Sequence, residues 1–264
     1  MSAPLLSVSG LSKRYGGARP VAALDGVSFT VAAGETLALV GPSGSGKSTA
    51  ARCILQLVEP DAGAVLFEGS DLRTLRGAAL RDIRKHLQVV FQEPMAAFNP
   101  RSTVGRLIGD PLRIHGLADA AARPARVAEL LERVGLPAAF ATRRPHELSG
   151  GQRQRVAIAR SIATRPSLVV LDEAVSALDV SVRADILKLL SALQAEDGMA
   201  YLFITHDLGV VRAVAHRVAV MDAGRIVEEG LAESVIARPE SRTARALVAA
   251  APKLKTIENE EKTP

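Results

Sequence analysis

Three groups of residues have types and spacings suited to phosphate chemistry. The first is Gly41-Pro42-Ser43-Gly44-Ser45-Gly46-Lys47-Ser48-Thr49. Glycines let successive backbone N–H groups close around phosphate oxygens, and a following helix adds the positive end of its dipole. Lys47 would bring a flexible point charge to the terminal phosphates, and the Ser48 hydroxyl could coordinate Mg²⁺. The second group is carboxylic. Asp172-Glu173 closes the apolar run Leu168–Leu171. Asp172 would hold Mg²⁺ directly or through its water shell. Glu173 projects differently and is placed to polarise an attacking water. Gln92, after Leu87–Phe91, has an amide that could reach the metal or the water, and His206, after Ala200–Thr205, could contact the γ-phosphate. The third group is Leu148-Ser149-Gly150-Gly151-Gln152, a second Gly-rich helix start and so a second anion site. Two such starts serving one nucleoside triphosphate point to a head-to-tail dimer. Each nucleotide would then lie between one phosphate loop and the partner's Ser149-Gly150-Gly151.

The elements that must hold these groups follow from hydrophobic pattern. Leu5–Leu11, Val27–Val31, Thr36–Val40, Ala64–Glu68 and Leu87–Phe91 read as strands, with a Gly/Pro-containing stretch Gly16–Pro20 between the first two. Thr36–Val40 runs straight into the phosphate loop, and a helix is expected over Lys47–Val58. From about Glu93 to Pro166 strand patterns give way to helical periodicity, at Val104–His115, Ala125–Val134 and Gly151–Thr164. Strands return at Leu168–Leu171, Ala200–Thr205 and Arg217–Met221. An amphipathic helix over Val182–Ala195 carries Ile186, Leu189, Leu190 and Leu193 on one face. The pattern is an α/β core interrupted by an all-helical insert, with a charged tail after Pro252 expected to be disordered.

Composition sets limits. About half of the 264 residues are hydrophobic, which permits a sizeable core. Aromatics are only 3% with no Trp, so that core must be aliphatic. A single cysteine, Cys53, excludes an internal disulfide and a Cys-based zinc cluster. The charge of +5 is too diffuse to name a nucleic-acid partner. No apolar run approaches the roughly 18–20 residues that span a bilayer, and Met1–Gly10 lacks a signal-peptide pattern. The expectation is a soluble or peripheral cytoplasmic protein.

Over about residues 5–235 the chain resembles the nucleotide-binding subunit of an ABC transporter. The resemblance implies a P-loop NTPase core of RecA-like α/β type, an antiparallel β subdomain and an inserted all-helical signature subdomain. It implies one ATPase domain over 1–252, in which 5–92 and 165–235 form the core and β subdomain, 93–164 the helical part and 253–264 a tail. Leu148–Gln152 would be the signature motif acting in trans, Gln92 the Q-loop, His206 the switch histidine and Ser176-Ala177-Leu178-Asp179 the D-loop. Tyr15 stands where the family places an aromatic against adenine. The implied cofactors are ATP and Mg²⁺, with Ser48, Gln92 and Asp172 as metal residues.

A closer resemblance is to the peptide/nickel importer branch, carried by Phe91-Gln92-Glu93-Pro94, Asn99-Pro100-Arg101, Pro111-Leu112, Ser149–Val156 and Asp172–Ser181. Where that branch often has His-Pro-Tyr-Thr, this chain reads Ser241-Arg242-Thr243-Ala244, although Arg245–Pro252 fits; the departure leaves the solute less defined. The implied function is ATP hydrolysis driving uptake of oligopeptides, dipeptides or a related solute such as nickel, an opine or a glycoside. The implied partners are a second ATPase subunit, identical or different, two permeases and indirectly a solute-binding protein, at the cytoplasmic face of the inner membrane, without nucleic acid. Two rival readings are weaker. A soluble ABC-type ATPase acting on DNA or ribosomes would carry two cassettes, long coiled coils or a Cys cluster, and a P-loop metabolite kinase leaves Leu148–Gln152 unexplained.

Overall fold

The computed structural model describes residues 3–16 and 21–251. Most of the expected Gly16–Pro20 stretch and the tail from 252 onward lie outside the described residues. The chain opens with β1 (Leu6–Tyr15), β2 (Val21–Val31) and β3 (Thr36–Val40), then α1 (Lys47–Ile54), β4 (Ala62–Phe67), β5 (Ser70–Asp71), α2 (Gly77–His86) and β6 (Leu87–Phe91). Helices follow: α3 (Pro94–Ala97), α4 (Val104–Ile114), α5 (Arg123–Arg133), two short 3₁₀ turns and α6 (Gly150–Ile162). The last part is β7 (Leu168–Asp172), α7 (Val180–Asp197), β8 (Ala200–Thr205), α8 (Leu208–Val214), β9 (Arg217–Asp222), β10 (Arg225–Leu231), α9 (Ala232–Ala237) and α10 (Arg242–Ala250).

The strands form two sheets. The antiparallel one has the order β2-β1-β4-β5, and the central one β10-β9-β3-β8-β7-β6. In the central sheet β9, β3, β8, β7 and β6 are parallel, and β10 pairs antiparallel at the edge. Strands buried on both faces read as continuous apolar runs, and β3, β7 and β8 are buried at every position. Their alternating side chains feed different cores. Leu37, Leu39, Leu168, Val170, Leu202 and Ile204 pack with α1 and the antiparallel sheet. Val169, Leu171, Tyr201 and Phe203 face the other way and join α4, α5, α6 and α7. The helical segment between β6 and β7 thus shares its apolar interior with one face of the central sheet.

Several elements depart from their expected bounds for local reasons. Helix α1 stops at Ile54, short of Val58, because Gln56 turns into left-handed backbone at φ 53° and its side-chain amide donates to the Cys53 carbonyl at 2.8 Å. Helix α5 starts at Arg123 because Pro124 fits a first helical turn, where no intrahelical N–H is needed. Helix α7 begins at Val180 on an Asp179 cap and ends at Gly198, which takes the left-handed conformation that suits glycine. Its expected face is present: Ile186, Leu190 and Leu193 are buried and Leu189 packs beside them. Helix α2 was not expected, and none of its residues is buried.

Cys53 lies on the buried face of α1 with no exposed surface, and burial pushes its thiol pKa up to about 11. The folded protein should therefore leave a thiol reagent such as Ellman's unreacted at pH 8 and release one equivalent on denaturation. Rapid reaction of the native protein would contradict this packing.

Candidate functional site

The candidate residues cluster at the carboxyl ends of four neighbouring parallel strands, ordered β3-β8-β7-β6. The phosphate loop follows β3, His206 follows β8, Asp172 and Glu173 close β7, and Gln92 follows β6. Open parallel sheets bind ligands at such strand ends, where loops and helix starts converge.

The loop is walled in on two sides. A methyl group on Gly46 would meet the Ala23 carbonyl oxygen at 2.2 Å, and one on Gly41 would meet that of Met221 at the same distance. Gly46 also holds left-handed backbone, φ 106°, so glycine is needed there for both reasons. The Gly224 N–H donates to the Ser45 carbonyl at 3.0 Å and fixes the loop against the β9–β10 turn. The start of α1 has no side-chain cap. Thr103, Ser149, Asp179, Asp207 and Ser241 cap their helices, whereas α1, like α2, α3, α5 and α9, has no side-chain cap; its first N–H groups open directly behind the glycine-rich loop and suit an anion. Lys47 is 6% exposed and folds back to donate to the carbonyls of Gly41 and Pro42, each at 2.8 Å. Burial lowers its pKa, while the Glu173 and Asp172 carboxylates oppose that fall.

Opposite the loop, the Ser48 hydroxyl donates to Asp172 Oδ1 at 3.2 Å. Asp172 is 8% exposed, and burial raises its pKa despite the Ser48 hydrogen bond. A hydroxyl beside a desolvated carboxylate is an all-oxygen donor pair, and it fits a hard divalent cation such as Mg²⁺. Glu173 adopts φ 49°, unusual for a side chain that is not glycine. The strain is held by its N–H, which donates to the Ile204 carbonyl at 3.0 Å, and by the Ser176 hydroxyl, which donates to its carbonyl at 2.9 Å. The turn brings Glu173 Oε1 within 3.4 Å of His206 Nδ1.

The remaining candidates lie around this centre. Gln92 is exposed at the mouth of a cleft of about 270 Å³ lined also by Gly150, Gln154, Ala174 and Leu178. That places Gln92 between the β6 end and the start of α6. Ser149 caps α6 reciprocally: its hydroxyl accepts from the Gln152 N–H and its N–H donates to Gln152 Oε1 at 3.0 Å. Gly151 lies so close to α7 that a methyl group would meet Val182 Cγ1 at 2.5 Å, and Leu148 is buried behind it. Ser176-Ala177-Leu178-Asp179 forms the turn into α7, where Asp179 Oδ1 accepts from the Val182 N–H at 2.9 Å. Tyr15 ends β1 on the antiparallel sheet, 41% exposed, with Lys13 Nζ 5.9 Å from its ring. Sequence reasoning assigned nothing to Asp207, which caps α8, to Gln154, which is buried beside Gln92, or to Arg183. Asp207 carries a readable signal, an acidic residue just before a helical run.

Comparison with known proteins identifies the family. The family described as ABC transporter matches residues 24–176. The chain belongs to the ABC transporter family. The glutathione import ATP-binding protein GsiA of Salmonella typhimurium is 51% identical over 257 residues, covering 94% of this cassette and 41% of that protein. GsiA of Escherichia coli K12 is 51% identical over 244 residues, 92% of the cassette and 39% of that protein. The cassette therefore spans about two-fifths of the curated relatives it matches. Among solved structures, the dimeric post-hydrolysis state of the ATP-binding cassette MJ0796 bound to ADP and Pi superposes with TM-score 0.78 at 32% identity, over 86% of this chain and 98% of that one. The structure of cbiO1 from Clostridium perfringens, described as part of the ABC transporter complex cbiONQ, gives TM-score 0.79 at 28% identity, over 90% of this chain and 92% of that one.

Asp172→Asn should raise the melting temperature of the nucleotide-free cassette at pH 7 and abolish further stabilisation by Mg-ATP over ATP alone. A carboxyl whose folded pKa lies above its unfolded value loses stability as pH rises from the ordinary carboxylate range through the folded pKa. The advantage of the Asn variant should therefore be small at pH 4 and grow toward pH 7. An equal or lower melting temperature at pH 7 would contradict the desolvated carboxylate.

Proposed function

We propose that this chain is the ATP-hydrolysing cassette of an importer for oligopeptides, dipeptides or a related solute, working as a head-to-tail pair. The observation that carries the reading is the convergence at four strand ends of an uncapped phosphate loop, the Ser48–Asp172 pair and the Glu173–His206 pair. The loop N–H groups and Lys47 hold the triphosphate, with Lys47 exchanging its loop carbonyls for phosphate oxygens. Ser48 and Asp172, joined by Gln92, would hold Mg²⁺, which neutralises phosphate charge when bound. Glu173 takes the proton of the attacking water, and His206 orients the water and the γ-phosphate. Ser149-Gly150-Gly151 lies on a different part of the chain from the loop, and the partner cassette's copy would close over the nucleotide. The dimeric description of the MJ0796 cassette supports this pairing. The names of the GsiA relatives support import of a small peptide, since glutathione is a tripeptide.

Coupling to permeases would run through the groove behind Gln92. This groove, about 440 Å³, is lined by Phe91, Pro94, Phe98, Pro111, Ile114 and Arg160 among others. Its lining combines apolar side chains with Arg84 and Arg160, a mixture that suits a short amphipathic helix of a membrane subunit. Among the described residues no helix is long and apolar enough to cross a membrane, so attachment to the inner membrane's cytoplasmic face would be through such a subunit.

Purified Glu173→Gln should keep ATP binding and lose on the order of 10²–10⁴ in turnover, the usual worth of a positioned base. In the same assay Lys47→Ala should weaken ATP binding about tenfold or more, the loss of charge-assisted contacts to phosphate. Normal hydrolysis by the first or normal affinity in the second would overturn the respective role.

Affinity capture of tagged Glu173→Gln protein from detergent-solubilised host membranes with Mg-ATP should recover two polytopic permeases and a cassette partner. Adding Ile114→Asp should remove the permeases and leave ATP binding intact. Recovery of ribosomes or nucleic acid in their place would overturn the transport reading.

A further inference from the structure

The turn Ser176–Asp179 and the segment Thr205–Asp207 lie on different strands' ends, and one side chain joins them. Arg183 stands one helical turn into α7 and reaches back past the Asp179 cap. One terminal nitrogen donates to the Leu178 carbonyl at 3.1 Å, and the other to Asp207 Oδ2 in an ion pair. Both ends of this bridge are half-buried. Asp207 has no freedom left to drift. Its Oδ1 accepts from the Gly209 N–H at 2.7 Å to cap α8, and its own N–H donates to Thr205 Oγ1 at 3.0 Å. His206 sits between these anchored residues, with Nδ1 3.4 Å from Glu173 Oε1. Among the described residues the Arg183 Nε is buried without an acceptor, and the guanidinium bonds to the turn carbonyl and the Asp207 carboxylate.

We propose that Arg183 is a positioning residue that ties the Leu178 turn to Asp207 and so sets where His206 stands relative to Glu173. This rests on the reading of Glu173 and His206 as the hydrolytic pair. The planar guanidinium matters because its two terminal nitrogens serve acceptors on different segments at once; an ammonium at the end of a lysine is a single point that reaches one of them. Displacement of the Ser176–Asp179 turn moves the Leu178 carbonyl, and through Arg183 it moves the residue next to His206. A partner cassette that presses on the turn thereby reaches the histidine of this chain without touching the phosphate loop.

The test uses the purified chain with steady-state ATPase assays, binding of a fluorescent ATP analogue and thermal melting. Arg183→Met keeps length and removes the donors, while Asp207→Asn keeps the α8 cap and removes the charge. Each should lower kcat by at least about tenfold, as displaced catalytic groups do, with KM for ATP and analogue affinity within about twofold of wild type. The double variant should fall no further than the worse single one, and Arg183→Lys should restore less than half of the lost rate. Wild-type kcat in either single variant, losses that multiply in the double, or weakened analogue binding would overturn the proposal. His206→Ala in the same assay separates the two layers. Loss of turnover in His206→Ala beside normal turnover in Arg183→Met removes the tether and leaves the switch role, whereas normal turnover in His206→Ala removes the switch role itself.

Discussion

The feature on which the site depends is a helix start left without a cap. Five helices satisfy a first-turn N–H with a Ser, Thr or Asp side chain; α1, like α2, α3, α5 and α9, does not, and α1 opens directly behind the glycine-rich loop at the end of β3. Backbone donors left free in a sheltered place are costly unless an anion or water supplies the missing acceptor. Everything around α1 accommodates that demand. Ala23 and Met221 present carbonyls so close that Gly46 and Gly41 admit no side chain, and Lys47 donates to the carbonyls of Gly41 and Pro42. The loop is thus shaped for one kind of occupant by what its walls forbid as much as by what it donates.

Across the cleft the same low-dielectric setting works on acids. Burial disfavours the ionised form of Asp172, and the Ser48 hydroxyl answers only part of that cost. A divalent cation would relieve it. Glu173 obtains its different orientation from backbone geometry. Its left-handed φ breaks the alternation of β7, so two consecutive acids face different partners, one toward Ser48 and the other toward His206. Residues in such strained conformations persist where surrounding hydrogen bonds over-determine them, and here the Ile204 carbonyl and Ser176 supply the restraint.

Much of this was legible in the sequence because most of the relevant strands are buried on both faces. Thr36–Val40, Leu87–Phe91 and Ala200–Thr205 stand out as uninterrupted apolar or near-apolar runs, and the structure gives them those same bounds. A polar residue directly after such a run is then conspicuous, which is how Gln92, Asp172, Glu173 and His206 could be singled out. Elements on the surface were harder. Helix α2 has no fully buried residue, its short apolar face at Leu80 and Ile83 being only half-buried, and β5 is only two residues long. Long-range pairings were hidden altogether. Arg183 and Asp207 are separated by a helix and a strand, and nothing in the composition of either segment announces that a guanidinium will span them. The same holds for Gln154, whose burial beside Gln92 depends on how α6 meets β6.

One property of the packing bears on how force would travel. The interior of the helical segment is not a separate droplet of oil: Val127, Leu130 and Ile158 belong to one apolar cluster with Val169, Leu171 and Phe203 of the central sheet. Densely packed interiors resist compression and yield by small sliding displacements between well-fitted surfaces. A module attached through such an interior behaves as a stiff gear tooth rather than as a weight on a string. Work done where nucleotide closes the site would reach the far side of the helices with little slack, and the stroke delivered there would be short.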